Sequence, residues 1–398
     1  MAKKAIKQEG VFSFSELQTK LLTVNPNAKA LHDSPYSNID DYFSTGNYAL
    51  NAQISGSMFK GIPAGRVTLL AGEPGAGKSF LILNACREAQ KKGYYIIYID
   101  TEWAIDLGLM ERFGLDVSTN KVAYHPINTV EDVNQLVLTT ALTLLEQKKA
   151  GFEIPKVIVA IDSLGNLSTR RELDGIMAAD EKADMGNKQK LLKKLFSTCT
   201  LNMGLVGGTV IATQHTIANI GGYGEQRMIA GGIGQMFNAS TIIQLTKAKL
   251  ANGADKKTET GIISTSKIKK SRFTKKGIPV SFHISDYTGM NQFVGLEKYI
   301  SWDRCGIQAG KIDNKNGFEE AKANTVSFAV KHLNKNVKPN QLFTEEVFTK
   351  EVLEMLDPYL QKTFLLPDST TEMLDDTMVV IDNLADEDDI ENGEIFND

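Results

Sequence analysis

Eight consecutive residues carry the most specific chemistry in this chain: Gly72, Glu73, Pro74, Gly75, Ala76, Gly77, Lys78 and Ser79. Their spacing is GxxxxGK[ST], a phosphate-binding loop. The glycines let backbone N–H groups turn inward around phosphate oxygens. Lys78 would reach the β- and γ-phosphates, and the Ser79 hydroxyl would ligate Mg²⁺. The context also fits. VTLLA (67–71) is a short apolar run that reads as a strand, and SFLILNACREAQKK (79–92), in which Phe80 follows the loop, has helical length and ends at Gly93. A helix N-terminus behind the loop favours anions.

Two more strand ends supply carboxylates. KVIVAID (156–162) is a buried-strand pattern ending in Asp162-Ser163, where a carboxylate could orient Mg²⁺ through water. YYIIYID (94–100) runs into Thr101 and Glu102. A glutamate at the C-terminal end of a strand beside the P-loop could polarise water for in-line attack on a γ-phosphate. Taken alone, each is also what a turn residue or a solvated strand end looks like; the P-loop selects between the readings.

The elements that must hold these groups alternate along the chain. VEDVNQLVLTTALTLLEQKK (130–149) and KLLKKLFSTCTLNMG (190–204) read as helices, and GTVIATQH (208–215) as a strand. Val- and Ile-rich runs between helices predict an α/β fold with a largely parallel sheet covered on both faces. FSFSELQTKLL (12–22) is a short amphipathic helix candidate within an arm over residues 1–36. After about residue 289 the pattern weakens into a small mixed domain.

Composition sets the class. At 398 residues and 42% hydrophobic content, the chain supports a full-sized α/β domain and something smaller. Cys86, Cys199 and Cys305 are widely spaced, which suggests reduced thiols and neither a disulfide framework nor a zinc site. The basic start lacks a following apolar stretch of secretory length, and no continuously apolar run approaches the ~20 residues of a membrane span. A soluble cytoplasmic protein is expected. The net charge of −4 hides an asymmetry: residues 363–398 hold twelve acids and no Lys or Arg, leaving residues 1–362 at +8. A basic body with an acidic tail suits nucleic-acid binding, and equally a tail that only aids solubility.

The segments STGNYALNAQISGSMFKGIPAGRVTLLAGEPGAGKS (44–79), IDTEWAIDLGLMERFGLDVS (99–118), KVIVAIDSLGNLSTRRE (156–172), DMG (184–186), VIATQHT (210–216) and GGIGQMFNAS (231–240) together resemble the RecA recombinases, in the right order. The IDSLGNL stretch, the HT after the strand and the GGxG…M run are most similar to the UvsX recombinases of T-even-like bacteriophages. The resemblance covers roughly residues 40–310. It implies a RecA-like P-loop ATPase core with a mostly parallel central sheet (37–288) and an oligomerisation role for the N-terminal arm (1–36), while the residue pattern and charge add a small C-terminal α+β domain (289–362) and an acidic, disordered tail (363–398). It implies ATP and Mg²⁺ as cofactors, single-stranded and homologous duplex DNA as partners, and a helical homo-oligomer. A single-strand-binding protein and a recombination mediator would be further partners.

The resemblance also places roles on residues. Glu102 matches the catalytic glutamate. His215 falls where RecA proteins carry a γ-phosphate-sensing glutamine, and an imidazole can donate to a phosphate oxygen in its place. Asp106 falls where the family contacts adenine. Lys270 and Arg272, in SKIKKSRFTKK (266–276), match two basic residues that reach a neighbour's ATP, as an arginine finger does; a solvated basic turn is the other reading. Two polar, glycine-bearing loops, about 170–186 and 216–232, are DNA-contacting candidates. Gly186, Lys188, Lys190, Arg227, Gly231 and Gly232 would meet phosphates, and Met185 and Ile220 would wedge between bases. A hinge or lid over ATP is the alternative for these loops. Phe237 matches a position that inserts into the adjacent subunit. Two rival functions share much of this pattern: a hexameric RecA-fold helicase and a RecA-like regulatory ATPase. The glycine-rich second loop and the DMG of the first favour a recombinase.

Overall fold

The structure, a computed structural model, describes residues 13–24, 38–177, 186–218, 227–230, 238–252, 255–312, 318–320 and 327–367. The chain divides into two units, residues 1–40 and 41–398. In the first, α1 (Phe14–Val24) buries none of its residues and leaves Phe14, Leu21 and Val24 exposed.

The second unit is built on a ten-stranded sheet. Its parallel part comprises β3 (Val67–Gly72), β4 (Tyr95–Asp100), β5 (Val122–Pro126), β6 (Val157–Asp162), β7 (Thr209–Ala218) and β9 (Thr241–Asn252), ordered β9-β3-β7-β6-β4-β5. A short strand, β8 (Arg227–Ile229), pairs antiparallel with β7. On the other flank β10 (Asp255–Lys270), β11 (Val280–Ser285) and β12 (Gly289–Met290) continue from β9 in antiparallel pairings. The sequence leads one to expect a largely parallel sheet, and this flank is the departure. β9 and β10 are consecutive with a short link, which can only join antiparallel neighbours. A separate ribbon, β1 (Tyr42–Phe43) with β2 (Ile62–Pro63), brackets α2 (Tyr48–Ser55).

Strand side chains alternate between two cores, as the pleat requires. Leu70, Ile158 and Ala160 face one cluster with Leu81, Ile82 and Ala85 of α3 (Lys78–Lys91). Leu69, Val159 and Ile161 face the other with Val133 and Val137 of α5 (Val130–Lys149) and Leu192 and Leu195 of α7 (Asn187–Thr198). The short helices α4 (Leu107–Arg112) and α6 (Arg170–Met177) follow β4 and β6. The helix expected over 190–204 starts three residues earlier, as α7, and runs into a π-turn at Cys199–Met203.

The C-terminal part holds α8 (Trp302–Cys305), an antiparallel sheet of β13 (Ile307–Lys311), β14 (Glu319–Glu320), β15 (Phe328–Val330) and β16 (Lys335–Val337), then α9 (Pro339–Leu342) and α10 (Lys350–Phe364). Val352, Leu356 and Leu360 of α10 share a third core with Ala49 and Ala52 of α2. Asp357 on α10 accepts from the Met58 N–H at 2.6 Å and from the Ser57 hydroxyl. The backbone N–H of Lys275 donates to the Phe364 carbonyl at 2.7 Å, so the basic turn leans on the end of α10. No described helix is long and apolar enough to cross a membrane.

Candidate active site

The P-loop closes where β3 meets α3. Gly77 is the N-cap of α3 with φ of 89°, a left-handed conformation that favours glycine, and a Cβ there would lie 2.7 Å from Ile284. Lys78 is buried, and its Nζ donates to the carbonyls of Gly72 and Glu73 at 3.0 and 2.9 Å. Burial pushes the Lys78 ammonium below the ordinary lysine value, and the charges of Asp162 and Glu102 oppose that shift. Ser79 and Pro74 are exposed on the loop. The loop is braced from β9 and β10: Ser264 Oγ on β10 donates to the Ala76 carbonyl at 3.0 Å, and Lys247 Nζ on β9 to the Pro74 carbonyl at 2.6 Å.

Asp162 ends β6 two strands away from the loop. Its Oδ1 accepts from Thr213 Oγ1 at 2.5 Å and its Oδ2 from the Tyr98 hydroxyl at 3.1 Å. The buried Tyr98 phenol is pushed well above its ordinary value by burial and by this carboxylate, so it stays a donor. A buried carboxylate fixed by two hydroxyls and the exposed Ser79 hydroxyl in the first turn of α3 are hard-oxygen donors of the kind suited to Mg²⁺. Among the described residues no group of three or more His, Cys, Asp or Glu gathers as a metal cage.

Glu102 is where three elements converge. Ser163 Oγ donates to Glu102 Oε1 at 2.7 Å, and His215 Nε2 stands 3.3 Å from the same oxygen and 3.4 Å from Ser163 Oγ. Ser163 itself is locked to the end of β4, its N–H donating to Thr101 Oγ1 and its carbonyl accepting from it. Close approach of His215 depends on Gly165, where a Cβ would lie 2.5 Å from the imidazole. Among the described residues, the buried His215 Nδ1 has no hydrogen-bond partner. Sequence reasoning placed Glu102 and His215 in the site, and missed Ser163 as their link.

Asp100 was also missed. It is 1% exposed, and it organises the turn that presents Glu102. Its Oδ1 accepts from the N–H groups of Glu102 and Trp103 at 2.9 and 2.7 Å; its Oδ2 accepts from Ile105 N–H and the Tyr124 hydroxyl. The signal was present, since a second acid lies two residues before Glu102, but a strand-end aspartate alone does not reveal a buried organiser. Asp106 is exposed and caps α4, accepting from Leu109 N–H at 2.6 Å. Beyond it, Phe80, Leu109, Arg112, Phe113, Tyr287 and Gly289 line a cleft of about 690 Å³. Phe80 meets Phe113 edge-on at 4.9 Å.

The remaining candidates scatter. Gly186 is the left-handed N-cap of α7, Lys190 is exposed, and Lys188 Nζ donates to the Gly165 carbonyl at 3.1 Å. Arg227 pairs with Glu73 at 2.9 Å. Met185, Ile220, Gly231, Gly232 and Phe237 lie outside the described residues. Lys270 and Arg272 are not at this chain's own P-loop. Lys270 pairs with Ile242, which pairs with Leu69, three residues before Gly72. That leaves it roughly 10 Å short along the strand and about 10 Å off across two strands.

The model of the RecA N-terminal domain matches residues 28–287 of this chain. Protein RecA of a Picosynechococcus species is 27% identical over 312 residues, covering 75% of this chain and 80% of the relative. Protein RecA of Crocosphaera subtropica is 26% identical over 318 residues, covering 78% and 83%. Protein RecA of a Nostoc species is 30% identical over 216 residues, covering 53% and 55%. With a P-loop, a held carboxylate at the end of β6 and a glutamate at the end of β4 on one sheet, and with the family model spanning most of that sheet, this chain belongs to the RecA family, whose nucleotide is ATP with Mg²⁺.

Proposed function

We propose that the protein is an ATP-dependent DNA strand-exchange recombinase that assembles as a helical filament on single-stranded DNA and pairs it with a homologous duplex, in recombination, repair and recombination-dependent replication. The observation that carries the reading is the continuity of β7. It presents His215 beside Glu102, runs on to Ala218, and pairs with β8 at Arg227–Ile229, so that one hairpin frames the second loop. The His215 carbonyl accepts from Ala230 N–H at 3.0 Å. A change at the γ-phosphate would therefore reach that loop through a single strand.

In the proposed reaction Lys78 holds the β- and γ-phosphates, and the cleft beside Phe80 and Tyr287 takes the adenine, which Asp106, bonded to the lining residue Leu109, would contact. Ser79 and Asp162 would hold Mg²⁺, which when bound offsets phosphate charge. Glu102 accepts a proton from the attacking water. Ser163 fixes the carboxylate orientation, and His215 reads the γ-phosphate. Lys270 and Arg272 act on a neighbour's ATP; their distance from their own P-loop supports this. Phosphate contacts come from Gly186, Lys188, Lys190, Arg227, Gly231 and Gly232, base wedges from Met185 and Ile220, and subunit contacts from Phe237 and the arm over 1–36. Residues 37–288 act as the ATPase core, 289–362 as a small C-terminal domain and 363–398 as an acidic tail. A UvsX-like, phage-encoded protein working in a bacterial cytoplasm with a single-strand-binding protein and a mediator is the finer form of this reading. Electron microscopy with single-stranded DNA and ATP tests it: helical filaments are expected, whereas closed rings would indicate a hexameric helicase, and no DNA-dependent assembly a regulatory ATPase.

A further inference from the structure

Trp103 combines three properties that need a common reason. It follows Glu102 directly, its backbone is left-handed at φ 56°, and its side chain is 72% exposed. A bulky aromatic at positive φ is an outlier that persists only when its surroundings over-determine it. Here the over-determination is visible: the buried Asp100 carboxylate accepts from Trp103 N–H at 2.7 Å and is itself held by Ile105 N–H and the Tyr124 hydroxyl. The fold thus uses a buried charge to hold a large apolar ring in water at the rim of the ATP site.

We propose that Trp103 is the landing platform for a second copy of this chain, whose Arg272 stacks on the indole face and so seats that copy's basic turn beside Glu102. The proposal rests on the reading that Lys270 and Arg272 act in trans, and it names the surface that receives them. A planar guanidinium over an indole is the strongest common cation–π pairing, and tryptophan is the residue most enriched at interface hot spots. The rim around Trp103 carries the exposed carboxylates Glu102 and Asp106, and the basic turn carries six cations within residues 266–276, with Arg272 exposed. The two features cannot meet within one chain. β10 and β4 are separated by β9, β3, β7 and β6, five strand spacings or roughly 24 Å. Contact between different flanks of successive copies is heterologous, the kind that propagates into an open helix.

Only two tryptophans occur, Trp103 and Trp302, so Trp302→Phe leaves Trp103 as the sole indole reporter. A trace of that chain is mixed with an excess of Trp103→Phe/Trp302→Phe chain and assembled with a slowly hydrolysed ATP analogue on single-stranded DNA, with co-assembly read by sedimentation. Trp103 emission is expected to shift on assembly, and the shift is expected to vanish when the excess chain also carries Arg272→Ala. In the otherwise native chain, Trp103→Ala should weaken subunit association at least about tenfold, with Trp103→Phe between it and wild type. Unchanged emission in confirmed co-assemblies overturns the platform while leaving the filament reading intact. A shift that persists with Arg272→Ala and follows the DNA would mean base stacking and also overturns it. Failure of every mixture to assemble removes the filament reading and this contact together.

Discussion

Arg227, in the strand that leaves the second loop, closes a 2.9 Å ion pair on Glu73 inside the P-loop. Glu73 also accepts from the Lys247 N–H at 3.3 Å, so its side chain joins β8 to β9. If Arg227 is needed on DNA phosphate, this pair competes with it. Glu73→Gln should raise single-strand affinity at low salt by up to about fivefold, the range of a partly exposed ion pair. Arg227→Gln should lower affinity and reduce the salt slope by about 0.7. Salt titrations of DNA binding check both; a shift of both variants in the same direction would rule out competition.

Ser163 positions Glu102, so the two should separate kinetically. Glu102→Gln removes the base and should lower DNA-dependent hydrolysis by about 10²-fold or more, with ATP binding retained. Ser163→Ala leaves the carboxylate but frees its orientation. A drop in kcat of roughly tenfold with little change in KM is expected. Steady-state ATPase assays with DNA read this split. Wild-type kcat in Ser163→Ala would remove the positioning role.

Lys270 and Arg272 should act across subunits. Partial burial and the charges of Arg272 and Lys276 already hold Lys270 below the ordinary lysine value, so it is the more easily neutralised of the pair. Mixing Glu102→Gln with Arg272→Ala chains creates some interfaces with an intact glutamate on one side and an intact arginine on the other. Hydrolysis above the weighted sum of the two variants is expected. Its absence at every ratio, in confirmed co-assemblies, would contradict a shared site.

Stability on the acid side has a contribution from His283 on β11. Burial holds this imidazole below its ordinary value, and its buried Nε2 has no hydrogen-bond partner among the described residues. The unfolded chain therefore takes up this proton first as pH falls below about 6.5. Folded stability is fully present above that pH and falls until the lower folded value is passed. His283→Gln should flatten this part of the profile. Urea midpoints at several pH values between neutrality and pH 5 for both chains provide the comparison; parallel profiles would exclude the assignment.

Much of this was legible in sequence where one residue type repeats in a simple period. VTLLA, YYIIYID and KVIVAID became β3, β4 and β6, and residues 130–149 became α5 without a shift. Helix α2 was not legible because seven of its residues, from Ala49 to Ser55, are buried, which leaves no stripe to detect. The β9–β10 hairpin was hidden by lysines and threonines interleaved with its apolar positions, so neither a buried run nor a clean alternation stands out. In the site, contiguous motifs could be read and contacts through space could not. Glu102 and Ser163 are 61 residues apart, and Arg227 and Glu73 lie on different elements. Tyr287 reaches the cleft from the turn before β12, with no motif to mark it.

The most direct measurement is strand exchange itself. Purified protein, circular single-stranded DNA and labelled linear duplex are incubated with ATP and Mg²⁺, using homologous and unrelated duplex in parallel, with Lys78→Ala as the control lacking the phosphate-binding lysine. Joint molecules and displaced strand should form only with homologous duplex, only with ATP, and not with Lys78→Ala. DNA-stimulated ATP hydrolysis without exchange on homologous duplex would contradict the recombinase assignment.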